Sequence, residues 1–203
     1  MKFILNDVRG KRIELENKEL CSACEGICCK SMGCHYSPDD FSDLSFEGLK
    51  KEIDKGYISI DWWDYLEFEG KEYERGYFLR VRNKYAPIVD PSWGGVCILL
   101  TEDGCPLSFE ERPKGARLLI PSINKCKSLY TKEDCCIDWI KYHDILEELH
   151  DYYVSQHFNN LDDYYNWLVQ WGVKATVRKN NNDNDLNPNR FLCDRVWNKR
   201  SNR

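Results

Sequence analysis

The sequence contains no long hydrophobic run. No segment approaches the about 18 consecutive apolar residues of a membrane-spanning helix, and the opening MKFILNDVRG has too few apolar residues for a signal-peptide core. We therefore expect a soluble, cytoplasmic protein that needs no membrane partner. Thiols stay reduced in that compartment, where clustered cysteines hold metal more often than they form disulfides.

Motifs of several common enzyme classes are also missing. The chain has no GxGxxG after a predicted strand, no P-loop, no HExxH and no GxSxG, and it lacks the CxxxCxxC spacing of radical enzymes. A methylase would therefore have no S-adenosylmethionine site of the common glycine-rich kind. The sequence leaves open whether the protein is an enzyme.

Cysteine, by contrast, is abundant. The 203-residue chain carries eleven cysteines in an otherwise globular composition, 42% hydrophobic and 31% charged. Such a length suits one domain with a core, or a core plus an appendage. The odd number of cysteines argues against a fully paired disulfide framework.

Charge is distributed unevenly. Residues 1–173 carry 21 basic and 31 acidic side chains, whereas residues 174–203 carry 8 basic and 3 acidic ones. An acidic body is a poor surface for nucleic acid, so only the tail is suited to that contact. We expect a metal-binding domain with a helical C-terminal part over 1–179, and an Asn-rich linker with a basic tail over 180–203.

Alternating and capped segments predict an α+β fold with short strands and C-terminal helices. The expected strands are KFIL, KRIELE, YISIDWW, GYFLRVR, GGVCILL and, near the end, KATVR. Helix starts are expected at Ser37 with Asp40, near Ser45, at Thr131 with Asp134 for a long helix over 132–158, and at Asn160 for a helix ending at Trp171. The segment 21–34 shows neither period and predicts a loop.

That loop holds the first cysteine group, CSACEGICCK. Cys21 and Cys24 form a CxxC pair, which lets two thiolates turn onto one tetrahedral ion. Cys28 and Cys29 are adjacent and suit a polynuclear centre, or two metals, better than a lone zinc. A redox-active dithiol and chance clustering are the alternatives.

A second group lies in GGVCILLTEDGCPL. Cys97 and Cys105 flank a predicted turn, and the glycines before them permit close approach of the backbone to a metal–sulfur centre. For Cys97 an ordinary place in a strand core is an equally good interpretation.

The motifs CSACEGICCK, GGVCILL, DGCPL and RPKGARLLIP follow one another over residues 21–121. In this order they resemble the YkgJ-type proteins, a family of zinc- or iron-chelating cysteine-cluster domains to which flagellin lysine-N-methylase is also related. Arg112 and Arg117 match the family's two arginines, which implies charge compensation of a thiolate centre; a salt bridge with Glu110 or Glu111 is the alternative. The cysteine of the family's RPxxCR motif is Ala116 here, and Cys126 is the candidate to replace it.

The resulting hypothesis is a metal centre, either an iron–sulfur cluster or zinc, that stabilises a small cysteine-rich core. Six or seven thiolates with a vicinal pair exceed what one tetrahedral zinc needs, which favours iron–sulfur. Two alternatives are a metalloenzyme that modifies a protein or peptide side chain, and a nucleic-acid or partner-binding module that uses the basic tail. The predicted ligands are Cys21, Cys24, Cys28, Cys29, Cys97, Cys105 and Cys126.

Other residues are weaker candidates. Cys34 beside His35 is a possible Cys–His addition to the first group, and core packing is the preferred interpretation for at least one of Cys135 and Cys136. Cys193 is expected to be incidental. His143, Glu147 and His150 share a helix face, for which a solvated charged surface is the preferred interpretation. The aromatic sets are expected to belong to the core: Trp62, Trp63, Tyr65, Tyr164, Trp167 and Trp171.

Overall fold

The computed structural model describes residues 4–6, 12–23, 26–31, 33–90, 95–102, 104–123, 126–160 and 162–170. Within these ranges, the side chains of Asn6, Lys18, Cys21, Ser22 and Tyr65 are not described. The chain divides into two compact units, Met1–His157 and Phe158–Arg203. The expected boundary at 179/180 and the expected strand KATVR lie outside the described residues.

A long antiparallel hairpin forms the centre of the first unit. Strand β3 (Ile58–Phe68) pairs with β4 (Lys71–Val81) from Ile58↔Val81 to Phe68↔Lys71. The connecting residues Glu69 and Gly70 have φ values of 51° and 74°, the left-handed pair of a two-residue hairpin turn. The YISIDWW and GYFLRVR strands were predicted correctly, although both extend further towards the turn.

Residues 76–81 of β4 are buried on both faces, so this end of the hairpin is the core of the unit. Fully buried side chains here include Phe78 and Leu79, together with Ile60 of the partner strand. A strand buried on both faces needs elements packed on each side of it. Helices cover part of this end, and the cysteine-bearing segments pair with its edge.

Three helices pack against the hairpin or each other: α3 (Phe46–Ile53), α5 (Lys132–Trp139) and α6 (His143–His157). Ser45 caps α3 by accepting from Gly48 N at 3.1 Å, as predicted. The single helix expected over 132–158 is wrong, because a 3₁₀ turn over Ile140–Tyr142 separates α5 from α6. The break follows Trp139, which is fully buried and donates Nε1–H to Tyr36 O at 2.9 Å.

The loop expected over 21–34 is also wrong in part, since two short helices form there. Helix α1 (Lys18–Ala23) starts after Asn17, whose Oδ1 accepts from Leu20 N at 2.9 Å. Asn17 is thus an N-cap that the analysis of the sequence overlooked. Helix α2 (Ile27–Ser31) follows Gly26, which has a φ of 69°.

The strand expected at GGVCILL is wrong. Cys97 makes only an isolated antiparallel bridge with Asn83, and a turn begins directly after it. The turn expected at TEDG is present, because Thr101 pairs with Gly104. An apolar run of this kind is compatible with a short buried bridge as well as with a strand, so hydrophobicity alone did not distinguish the two.

Short elements complete the first unit. Strands β1 (Ile4–Asn6) and β2 (Arg12–Glu14) form the expected N-terminal hairpin. The segment after RP forms helix α4 (Lys114–Arg117) and then strand β5 (Leu119–Ile120). Strand β5 pairs antiparallel with β6 (Lys127–Ser128). The Ser37 turn is a 3₁₀ turn over Pro38–Asp40, and Asp40 Oδ2 accepts from Ser37 N at 2.9 Å.

The described part of the second unit is a helix over 162–170. Asn160 caps it as predicted, with Oδ1 accepting from Asp163 N at 2.9 Å. Tyr164 is buried and stacks on Trp167 at 6.4 Å between ring centroids, whereas Trp171 lies outside the described residues. Among the helices described in both units, none has the length and apolar character to cross a bilayer. Mixed helices and small antiparallel sheets agree with the predicted α+β class.

Candidate functional site

Helix α2 places two adjacent cysteines at the start of the candidate site. Cys28 and Cys29 are both half-buried. A Cβ at Gly26 would lie 3.2 Å from Leu100 Cδ1, and its positive φ favours glycine. Glycine at this position therefore allows α2 to approach the segment that carries the second cysteine group.

The second group reaches α2 through its backbone. Cys97 N donates to Cys29 O at 2.7 Å, and Gly95 N donates to Ser31 O at 2.8 Å. These two bonds bring together cysteines that are 68 positions apart in the chain. The predicted convergence of the CSACEGICCK and GGVCILL motifs is thus present in the structure.

Cys34 joins the same region because its segment pairs with the edge of β4. Val81 N donates to Cys34 O at 2.8 Å, and Tyr36 N donates to Leu79 O at 2.9 Å. A Cβ at Gly33 would lie 2.0 Å from Val81 O, so only glycine permits this approach. Side chains alternate along an extended segment, which turns His35 to the face opposite Cys34.

The cysteines Cys28, Cys29, Cys34, Cys97, Cys105 and Cys126 interact with one another, and we call them the thiol cluster. The Cys29 thiol hydrogen-bonds those of Cys28 and Cys97. These bonds lower the pKa of Cys28 to about 6 and that of Cys97 to about 7, while the pKa of Cys29 is raised. The proton is therefore retained on the central thiol, between two sulfurs that ionise readily.

Electrostatic interactions include the other members of the cluster. Burial raises the pKa of Cys34, and the negative charges of Cys28, Cys97, Cys105 and Cys126 raise it further. Cys34, like Cys29, is therefore a thiol that keeps its proton more firmly than Cys28 and Cys97 do. Cys105, by contrast, is exposed. The sequence predicts Cys34 only as a possible Cys–His addition to the first group, not as a main ligand.

Cys126, the candidate to replace the cysteine missing at Ala116, belongs to the thiol cluster. The Cys126 thiol hydrogen-bonds that of Cys28. The β5–β6 pairing returns the chain beside the segment that follows Ala116, with Ile120 opposite Lys127.

The placement of the remaining predicted ligands is incomplete. Cys21 belongs to α1, but its side chain and all of Cys24 lie outside the described residues. Within the described residues, no group of three or more His, Cys, Asp or Glu side chains is arranged to hold a metal ion. The thiols are thus close enough to interact, but those described do not form a closed coordination sphere. The donor chemistry fits zinc or iron–sulfur ligation, which uses thiolates.

Arg112 and Arg117 have carboxylate partners in the structure. Arg112 Nη2 lies 3.4 Å from Glu16 Oε1, and Arg117 Nη2 lies 2.8 Å from Asp40 Oδ1. The predicted salt-bridge partners were Glu110 or Glu111, whereas the carboxylates found beside the two arginines are those of Glu16 and Asp40. Arg117 also donates to Arg112 O at 2.6 Å, which ties the RP segment to α4.

A buried cation closer to the cluster was missed. Arg80 is fully buried, donates to Asp61 Oδ2 at 2.9 Å and forms an ion pair with Asp90. Its positive charge is one of the causes that lower the pKa of Cys97. Asn83 bonds Asp90 Oδ2 through Nδ2 at 3.3 Å. The signal in the sequence was a charged residue at the centre of the otherwise apolar run YFLRV.

Cys135 and Cys136 lie apart from these contacts, on α5. The Cys135 thiol donates to Tyr36 O at 3.3 Å, and the Cys136 thiol donates to Gly76 O at 3.2 Å. Both are buried, and burial raises the pKa of Cys135 and that of Cys136, the latter to about 12. The expectation of core packing is confirmed for both residues. Cys193 lies outside the described residues.

The solvated surface expected for the histidines of α6 is wrong. His150 is 3% exposed and packs against Trp62 and Tyr77 with ring centroids 5.4 and 5.2 Å away. His143 Nε2 lies 2.9 Å from Arg75 O. Trp62 is buried as expected, whereas Trp63 is 46% exposed. Packing of α6 on the hairpin decides which of these side chains are buried, because helix periodicity alone does not tell which face is covered.

Comparison of the chain with protein-family models, with curated proteins and with solved structures finds no match. The resemblance to the YkgJ-type proteins therefore depends on the cysteine motifs alone. It stays a prediction, and the function has to be argued from the geometry of the thiol cluster.

Proposed function

We propose that this chain is a metal-binding protein that holds an iron–sulfur cluster or zinc through the thiol cluster. The observation that carries the proposal is the convergence of cysteines from separate segments, namely α2, residue 34, residue 97, residue 105 and residue 126. A redox dithiol needs only two thiols. Packing does not account for thiols that hydrogen-bond one another, since core cysteines such as Cys136 bond backbone carbonyls instead.

Cys28, Cys29 and Cys97 would supply the central ligands, with Cys34 and Cys126 beside them. Cys21 and Cys24 are the further donors that the sequence predicts within the same group. A bound cluster or ion would supply Lewis acidity or one-electron chemistry. The chain's own contribution is the arrangement of the thiols, which the bonds from Cys97 N to Cys29 O and from Gly95 N to Ser31 O help to hold.

The decisive experiment is the metal and sulfide content of the full chain purified without oxygen. We expect iron with acid-labile sulfide, or zinc, in stoichiometric amounts. Cys97→Ser should lose most of that metal, because Cys97 hydrogen-bonds the central thiol of the cluster. Cys136→Ser is the matched control: it changes a buried cysteine outside the cluster and should leave the metal content unchanged.

A folded wild-type chain without metal would contradict the proposal and favour a dithiol function. Equal metal loss in Cys97→Ser and Cys136→Ser would contradict the assignment of the site. Binding of cyanide or a small thiol to the loaded centre would indicate an open position, which the alternative of a metalloenzyme acting on a protein or peptide side chain requires.

A further inference from the structure

We propose that Asn83 is a positioning residue for the thiol cluster. Asn83 belongs to a buried polar network and holds the Cys34 and Cys97 segments in place. The effect of Asn83 on metal binding rests on the proposed function. The positioning itself concerns only the protein's own thiols. Asn83 is 1% exposed. It lies two residues after the end of β4 and contacts both the Cys34 segment and the Cys97 segment.

One side-chain bond of Asn83 reaches the Cys34 segment. Its Oδ1 accepts from Gly33 N at 3.2 Å, and this bond is buried. Gly33 precedes Cys34, whose carbonyl accepts from Val81 N at 2.8 Å. Asn83 therefore fixes the backbone on one side of Cys34, while β4 fixes it on the other.

The backbone of Asn83 reaches the Cys97 segment. Asn83 and Cys97 form an antiparallel bridge, framed by Lys84 N to Val96 O at 2.7 Å and Ile98 N to Arg82 O at 2.9 Å. A Cβ at Gly95 would lie 3.1 Å from Asn83 Cβ, and Gly95 has a φ of 149°. The Cys97 segment thus packs directly onto this asparagine.

A network of charges holds the amide itself. Asn83 Nδ2 donates to Asp90 Oδ2 at 3.3 Å, and Asp90 pairs with Arg80, which also donates to Asp61. All three charged side chains are fully buried. The orientation of the amide is therefore determined: the NH₂ group faces a carboxylate, and the oxygen faces Gly33 N.

The test exchanges the two partners of the Asn83–Asp90 bond. Asn83→Asp keeps an acceptor for Gly33 but places a carboxylate against Asp90 in a buried site, and the repulsion should displace the Cys97 segment. The double variant Asn83→Asp/Asp90→Asn restores one amide and one carboxylate, with the amide donating in the opposite direction. Asp61→Asn is the matched control, since it removes an ion pair of Arg80 without touching either cysteine segment.

The readout is bridging of Cys29 to Cys97 by dibromobimane in the reduced, metal-free full chain, located by fragmentation mass spectrometry. The Cys28–Cys126 bridge in the same sample is the internal reference. We expect the ratio of the Cys29–Cys97 bridge to the Cys28–Cys126 bridge to fall about tenfold or more in Asn83→Asp. A change of this size corresponds to the loss of a buried hydrogen bond to a charged group. The double variant should recover the wild-type ratio, and Asp61→Asn should keep it even if its thermal unfolding midpoint falls.

Absence of the Cys29–Cys97 bridge in the wild type would overturn the inference, as would a wild-type ratio in folded Asn83→Asp. If Asn83→Asp fails to fold, Asn83→Ala decides, because it removes both side-chain bonds of Asn83 and leaves the ion pairs of Arg80 intact: a lower proportion of Cys29–Cys97 bridging supports the inference, and wild-type bridging overturns it. The assay needs no metal, so a wild-type chain that bridges normally but binds no metal would refute the proposed function alone.

Discussion

At the scale of single residues, Arg80 has the environment most sensitive to substitution. It is fully buried with two carboxylates, Asp61 and Asp90, and it also donates to Val81 O at 2.9 Å. Removing one member of a buried ion pair leaves the remaining charges without compensation, which costs far more than the pair itself contributes. Substitution of Arg80 would therefore remove the positive charge that pairs with both Asp61 and Asp90.

We predict that Arg80→Met lowers the free energy of unfolding by about 3–5 kcal/mol. The matched control is Arg82→Met, because Arg82 is only half-buried and donates to backbone carbonyls, including Ala86 O at 2.6 Å. Its loss should be about 1 kcal/mol. Urea unfolding followed by tryptophan fluorescence measures both, and equal losses would contradict the buried-charge argument.

At the scale of elements, α5 depends on its capping box. Thr131 Oγ1 accepts from Asp134 N at 3.1 Å, and Asp134 Oδ2 accepts from Thr131 N at 2.8 Å. The helix carries Cys135, Cys136 and Trp139 into the core, so the stability of its first turn is coupled to that of the whole unit.

We predict that Thr131→Ala destabilises the protein by about 1 kcal/mol, because the backbone N–H of Asp134 loses its acceptor. Thr131→Ser keeps the hydroxyl and should cost much less. Guanidinium unfolding followed by circular dichroism would show the difference. Identical midpoints for the two variants would indicate that the cap does not contribute to stability.

The contact between α3 and α6 should depend on pH. Tyr153 OH donates to Asp54 Oδ1 at 2.7 Å, and Lys50 Nζ lies 2.6 Å from Asp54 Oδ2. The hydrogen bond from Lys50 and then that from Tyr153 lower the pKa of Asp54 below its usual value. A carboxyl whose pKa is lower in the folded state stabilises above its unfolded pKa, and this contribution is lost as the pH falls through the folded value.

Asp54→Asn should therefore reduce stability slightly at pH 7, by less than Thr131→Ala does, since Asp54 is largely exposed. The difference from the wild type should vanish once the pH falls well below about 4. Thermal unfolding at several pH values measures it, and a difference that persists in acid would exclude the ionic origin.

At the scale of the whole molecule, the thiol cluster connects segments that are far apart in the chain, from α2 to residue 126. A ligand that binds only the folded arrangement stabilises it by mass action. Metal bound by structural thiolates contributes on the order of 10 kcal/mol to folding in small domains.

We predict that removal of metal with a chelator lowers the thermal unfolding midpoint of the wild-type chain and that Zn²⁺ restores it. Cys136→Ser should respond in the same way as the wild type. Cys97→Ser should start from the low midpoint and respond little to either treatment. A wild-type midpoint that does not change with chelator would show that metal has no part in the stability of this fold.

Much of the local structure could be predicted because its causes are local. The N-caps Ser45, Thr131 and Asn160 depend on side chains within three residues of the bonds they make. The two strands of the long hairpin are visible as alternating apolar runs. The expectations that failed, such as the uninterrupted helix over 132–158 and the strand at GGVCILL, depended on distant contacts of Trp139 and Asn83.

By itself, the sequence determined the α+β class, the main hairpin and the pairing of the first cysteine group with the second. The tertiary structure alone decided that Cys34 lies with Cys28, and that Arg80 is fully buried and lowers the pKa of Cys97. The physical reason is that burial and proximity between distant segments follow from packing against β4. A spacing motif records only neighbours along the chain, whereas desolvation and electrostatic interaction depend on neighbours in space.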